Sequence, residues 1–114
     1  MGVADNKYID LVSGLPRVAN NEILYKKLVA KFETSIDIAA IDSAFAAKDF
    51  AKAGELIHAA KGVAGNLSLA AFYDSSVVLM DQLRSGGEPS QENVEAFKKL
   101  YDDTVRAIKD YLAD

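Results

Sequence analysis

Apolar positions recur along this chain at helical spacing almost throughout, and a strand-like alternation persists nowhere. The cleanest repeat is the last. Val94, Phe97, Leu100, Tyr101, Val105, Ile108 and Leu112 follow one another at three- and four-residue steps, which predicts a long helix opened by Pro89-Ser90. Before it, Phe72, Ser76 or Val77, Leu79, Met80 and Leu83 predict a helix with Ser68 as its cap and Gly86-Gly87 as its stop. Asp49 is placed to cap a central helix from about Phe50 to Leu67 or slightly beyond. Its apolar stripe is Ala53, Leu56, Ile57, Ala60, Ala64, Leu67 and Ala71.

The first half is less regular. Thr34-Ser35 caps a helix bearing Ile38, Ile41, Ala44 and Phe45, and Asn20-Asn21 one bearing Ile23, Leu24, Leu28 and Phe32. Tyr8, Ile9, Leu11 and Val12 suggest a short opening helix, interrupted near Ser13-Gly14 and restarted at Leu15-Pro16. Short connections favour antiparallel neighbours. The expectation is an all-α fold, an antiparallel four-helix bundle with an additional N-terminal helical cap. No linker or repeat divides residues 1–114, which read as a single domain.

Composition narrows the function classes. Lys+Arg of 13 against Asp+Glu of 17 gives a net charge of −4, which argues against nucleic acid or an anionic membrane as the main partner. The chain has no cysteine, so a disulfide framework and a thiolate metal site are excluded. No apolar run approaches the roughly 18 residues of a membrane span. The start, Met1 to Lys7, has no apolar signal region, and Asn6 stands where myristoylation needs serine or threonine. A cytoplasmic monomer is the default expectation, either a stand-alone protein or a domain cut from a longer one.

Candidate chemistry collects on the central helix. His58, the only histidine, has Lys61 three residues on, Gly62 four on and Gly65 seven on. These spacings share one side of a helix. At about 100° per residue, His58 lies roughly 150° from the centre of the apolar stripe, facing away from the core. The same outward face carries Ala51, Gly54, Gly62 and Gly65. A glycine inside a helix costs about 1 kcal/mol relative to alanine, so the bare patch asks for a reason other than helix stability. Glycine lets another surface come close to the backbone. A neutral imidazole has a ring nitrogen with a free lone pair and can attack phosphorus. An ammonium one turn away stabilises the charge on transferring phosphoryl oxygens. Against this stand plainer readings: a surface histidine, a solvated lysine, and glycines that serve close helix packing. Asn66 borders the histidine face, and Arg84, late in the next helix, is a weaker candidate for reaching it.

Other chemistry is poorly supported. Asp10, Asp42, Glu55, Asp81 and Asp102-Asp103 form no Glu-x-x-His pair with the single histidine, which disfavours a metal or haem bundle. Ser85-Gly86-Gly87 lacks the lysine and hydroxyl of a P-loop, and no nucleotide-binding segment stands elsewhere.

The run I-H-A-A-K-G-V-A-G-N-L-S, residues 57 to 68, resembles the signature of histidine-containing phosphotransfer (HPt) domains, roughly A-H-x-L-K-G-S-A-x-x-(Leu/Ile)-G. His58, Lys61, Gly62, Ala64 and Leu67 match it. Upstream, Gly14-Leu15-Pro16-Arg17-Val18, Asn21, Leu24-Tyr25 and Phe32 are similar to the G-L-x-R-(Leu/Val)…L-Y…F lead-in of bacterial members. Ala60 replaces the usual leucine, Val63 the usual serine and Ser68 the common glycine. Met80 falls where many members carry a glutamate or glutamine near the histidine. The resemblance implies a phosphorelay carrier without autonomous turnover. His58 would accept a phosphoryl group from a receiver-domain aspartyl phosphate and pass it to another receiver aspartate. Lys61 would stabilise charge, and Gly62, Gly65, Asn66, Leu69 and Arg84 would serve docking. The chain itself would need no cofactor, and the partner receiver would supply Mg²⁺. The alternative is a helical adaptor that binds partners without phosphohistidine chemistry.

Overall fold

Polar side chains that cap helix starts set most of the element boundaries. In the computed structural model, residues 7–113 are described; the segment Met1 to Asn6, and with it the reading of its signal and myristoylation features, lies outside them, as does Asp114. Asp10 accepts a hydrogen bond from the Ser13 N–H and starts α1 (Leu11–Gly14). The chain continues without a break into a 3₁₀ turn (Leu15–Val18) with Pro16 in its first positions. Gly14 therefore does not interrupt the opening helix; Pro16 occupies positions where its missing N–H costs nothing. Asn21 caps α2 (Glu22–Val29), as expected. A single turn, α3 (Phe32–Ser35), follows. The cap of α4 (Ile38–Ala46) is Asp37, not Thr34-Ser35; both hydroxyls instead donate back to the Lys31 carbonyl and finish α3. Asp49 caps α5 (Phe50–Leu67), the central helix, with the expected bounds.

α5 and α6 (Ala70–Arg84) meet at a tight corner. Ser68, expected to cap α6, is instead the left-handed residue that ends α5, with φ 57°. The Leu69 N–H reaches back to the Ala64 carbonyl at 3.0 Å, closing the last turn. Ala71 consequently belongs to α6. Leu69 has no side chain able to cap α6. The free N–H of Ala71 is taken by the Lys7 carbonyl, at 3.0 Å, from the N-terminal segment. Gly86, at φ 78°, turns the chain after α6, and Ser90 accepts from the Asn93 N–H at the start of α7 (Gln91–Ala113).

α5 packs between α4 and α6, and α6 packs on α7. These four helices form the bundle, with α1 to α3 as the N-terminal cap. Their shared core holds Ile57, Ala60 and Ala64 of α5, Phe72 and Leu79 of α6, and Phe97, Tyr101 and Ile108 of α7. Phe72 sits at its centre, with ring centroids 5.2 Å from Phe32 and 4.8 Å from Phe97. Two stripes differ from expectation. α2 buries Tyr25 and Val29 and leaves Ile23 72% exposed, because Tyr25 carries a hydroxyl with a partner inside the fold. The last turn of α7 buries Tyr111 rather than Leu112, since the Tyr111 hydroxyl bonds to Glu22 of α2 at 2.8 Å. Met80 lies in the core. Among the described residues no helix is long and apolar enough to cross a membrane.

Candidate functional site

α5 presents two unlike faces. Ala53, Ile57, Ala60 and Ala64 are buried, whereas His58 and Gly62 are exposed. The helical-wheel reading of the histidine therefore holds in space. The ring engages no other described residue by hydrogen bond or ion pair. It opens onto a groove of about 600 Å³.

Three segments wall this groove. α5 contributes His58, Lys61, Gly62, Gly65 and Asn66. The corner and the start of α6 contribute Ser68, Tyr73 and Asp74. The N-terminal cap contributes Asp10, Ser13 and Arg17. Lys61 is half-buried, and its ammonium stands over the Tyr73 ring, 5.9 Å from the centroid. Among the described residues neither Lys61 nor Arg17 has an ion-pair partner. Both cations are thus available to an incoming anion. Asp10 and Asp74 bring negative charge to the same rim.

The residues expected around the histidine divide. A side chain added at Gly62 would meet nothing within 4 Å. Gly62 is open ground beside the ring, and Asn66 is an exposed member of the groove. Gly65 is not open: a Cβ there would lie 3.3 Å from Cε1 of Tyr73. Its bareness serves close packing of α5 on α6. At Gly54 an added Cβ would lie 4.0 Å from the Leu83 side chain, an ordinary contact that does not itself require glycine. Leu69 is fully buried, not an exposed docking group. It follows the left-handed Ser68 and lies at the floor of the groove, where the corner closes. Arg84 does not line the groove. It ends α6, beside the Gly54 end of α5 where Leu83 sits, and so is displaced along the bundle from Lys61 and Asn66.

The N-terminal wall was not anticipated as part of the site. It is held in place by several contacts. The Asp10 N–H donates to the Ser68 carbonyl at 3.0 Å, and the Ser13 and Ser68 hydroxyls share a hydrogen bond of 2.9 Å. The Tyr25 hydroxyl donates to the Leu67 carbonyl. Tyr25 fits only because residue 14 is glycine, as a Cβ there would lie 2.8–2.9 Å from its ring. Burial, with Asp10 nearby, pushes the Tyr25 phenol up to about 12, so it stays a donor further into the alkaline range than an exposed tyrosine. The G-L-x-R…L-Y lead-in is therefore a brace: Gly14 admits Tyr25, Tyr25 pins the end of the histidine helix, and Arg17 reaches the groove. The signal was in the sequence, in residues already noted for their resemblance, but nothing local placed them against residues 58–68.

Comparison with known proteins agrees with the geometry. Neither the curated proteins nor the solved structures yielded a match to the chain. The model of the family described as Hpt domain matches residues 29–111, well over half of the chain, and spans α5 with His58 and Lys61. An all-α bundle with a solvent-facing histidine on its central helix, together with that match, places the chain in the Hpt domain family, whose members are phosphocarriers in histidine phosphorelays.

Proposed function

We propose that this protein carries a phosphoryl group on His58 between receiver domains. The observation that carries the reading is the open His58 ring on a groove with Lys61 one turn along the same helix. In the proposed step a neutral ring nitrogen of His58 attacks the phosphorus of a receiver's aspartyl phosphate. The N–P bond forms as the acyl O–P bond breaks, and the receiver's carboxylate leaves with the electron pair. The reverse attack, by an aspartate of a second receiver, discharges the histidine. Lys61 faces the phosphoryl oxygens and offsets their charge. Gly62 keeps the helix surface low enough for the receiver's rim to approach. The receiver contributes Mg²⁺ and most of the catalytic groups, so the chain acts as a carrier without turnover of its own.

Incubation with a phosphorylated receiver domain tests this. The expected product is labelled protein whose phosphate is lost in acid and retained in alkali. His58→Gln is expected to abolish the label with helix content by circular dichroism unchanged, because the side chain supports no packing. Label that survives the substitution would move the acceptor elsewhere. Receiver binding that is unaffected by the substitution, with no label on the wild type, would favour a helical adaptor.

A further inference from the structure

The roles proposed for His58, Lys61 and Gly62 leave Tyr73 unexplained. It is the aromatic side chain in the groove wall, carried by the first turns of α6 and partly packed against the core. Three observations converge on it. Its ring edge lies against Gly65, where a Cβ would come within 3.3 Å of Cε1 and 3.5 Å of Cδ1. Its centroid is 5.9 Å from the Lys61 ammonium. No described carboxylate pairs with Lys61, although Asp74 stands next to Tyr73 in the same wall.

A lysine stem has four rotatable bonds, and a solvated ammonium samples many positions. Holding it in one place on encounter costs rotamer entropy. A carboxylate would hold it too, but would neutralise the charge that the phosphoryl oxygens need. An aromatic face attracts the cation without cancelling its charge. Gly65 is the seat that lets the ring reach that position, which accounts for a glycine that access does not explain.

We propose that Tyr73 is a positioning residue for phosphoryl transfer, its ring seated on Gly65 and holding the Lys61 ammonium in the groove beside His58. The proposal rests on His58 being the phosphoryl acceptor. Tyr73 acts through Lys61 and touches no reacting atom. During transfer the N–P bond forms at His58 as the acyl O–P bond of the receiver breaks. The ammonium keeps its place over the ring as it meets the oxygens of the phosphoryl group, so the contact persists in the transition state.

Two measurements on the intact protein test it. In the free, unphosphorylated protein, NMR should show an upfield ring-current shift on the Lys61 ε-methylene protons. Tyr73→Phe should keep that shift and Tyr73→Leu remove it; shifts at ordinary lysine values in the wild type would overturn the proposal whether or not the protein accepts phosphate. In single-turnover transfer from a phosphorylated receiver, Tyr73→Leu should slow the step at saturating receiver by about two- to fivefold, the equivalent of one exposed cation–π contact. Receiver affinity should be unchanged, Tyr73→Phe should restore the wild-type rate, and Tyr73→Leu should add nothing in a Lys61→Ala background. An unchanged rate, a loss of affinity, or an equal slowing without Lys61 overturns the proposal. If Tyr73→Leu does not fold, Tyr73→Met supplies the same readouts, with a flexible apolar side chain in place of the ring. A wild type that takes no label at all would refute His58 as acceptor, while the NMR arm still decides the Lys61–Tyr73 contact.

Discussion

Two grooves of similar size lie on the described surface, and they use their cations in opposite ways. The groove beside His58 measures about 600 Å³ and a second, between the end of α4 and the start of α7, about 530 Å³. In the second, Lys48 pairs with Glu88 at 3.4 Å. Lys98, beside it, pairs with both Asp42 at 2.8 Å and Glu95 at 2.9 Å. Lys61 and Arg17, in the first, are paired with no described carboxylate. Volume does not distinguish the two grooves; charge left without a carboxylate partner does. A cation already satisfied by carboxylates gains little from a passing phosphoryl group, whereas one resting on a neutral ring gains the whole interaction.

The sharpest way to break this contrast is to remove Lys61 from the first groove and Lys98, which pairs with two residues of the second, from beside it. Lys61→Ala should slow phosphotransfer by about ten- to a hundredfold, the worth of one hydrogen bond to a charged group. Quench-flow labelling reads the rate, and equal rates for Lys61→Ala and wild type would make the two grooves equivalent. Next in size is Gly14→Ala. The added methyl meets the Tyr25 ring, so stability should fall by about 1–3 kcal/mol, the usual cost of overpacking. Urea melts measure it. A neutral result would mean that Tyr25 can leave its site and that the brace on the histidine helix is dispensable.

Alkaline pH attacks the same brace by another route. Below about pH 10, the ordinary value for tyrosine, both the folded and the unfolded chain keep the Tyr25 proton and stability is unaffected by it. Above it the unfolded chain ionises while the folded chain holds the proton until about 12. Stability should therefore decline across that window. Burial raises Tyr111 and Tyr101 as well, and they act in the same direction. Urea melts at stepped pH, with phenolate absorbance as the second probe, should show the decline, and Tyr25→Phe should flatten part of it. The smallest effect is expected at the other groove. Lys98→Ala should leave transfer unchanged and cost under about 1 kcal/mol, because its ion pairs are at the surface. Slowed transfer in that variant would mean that the second groove takes part in the relay.

Much of the architecture was legible in the order of residues. Asp49 and Asn21 are caps because a short side-chain oxygen before an apolar-periodic run has one evident use. The outward aim of His58 followed from helical angles alone, since α5 has only one face rich enough in apolar residues to bury. Errors arose where two faces or two glycines were locally equivalent. Ile23 and Leu24 are as apolar as Tyr25, yet Tyr25 is the residue buried, because Gly14 leaves room for its ring and the Leu67 carbonyl accepts its proton. Gly62 and Gly65 lie one turn apart on the same helix, and nothing local says that Tyr73 covers one of them. Leu69, expected to serve docking, follows the left-handed Ser68 and is buried at the corner.

Residue order alone carries the helical periodicity, the capped limits of α5, and the imidazole, ammonium and glycine set on one side of it. These depend on spacings of a few residues and on angles that every α-helix shares. Packing in three dimensions settles which segments wall the groove, brings Arg17 to it from more than forty positions before His58, and selects which cations stay free of carboxylates. Those outcomes depend on how whole helices pack, where burial of a large ring or satisfaction of a stray carbonyl outweighs any local preference.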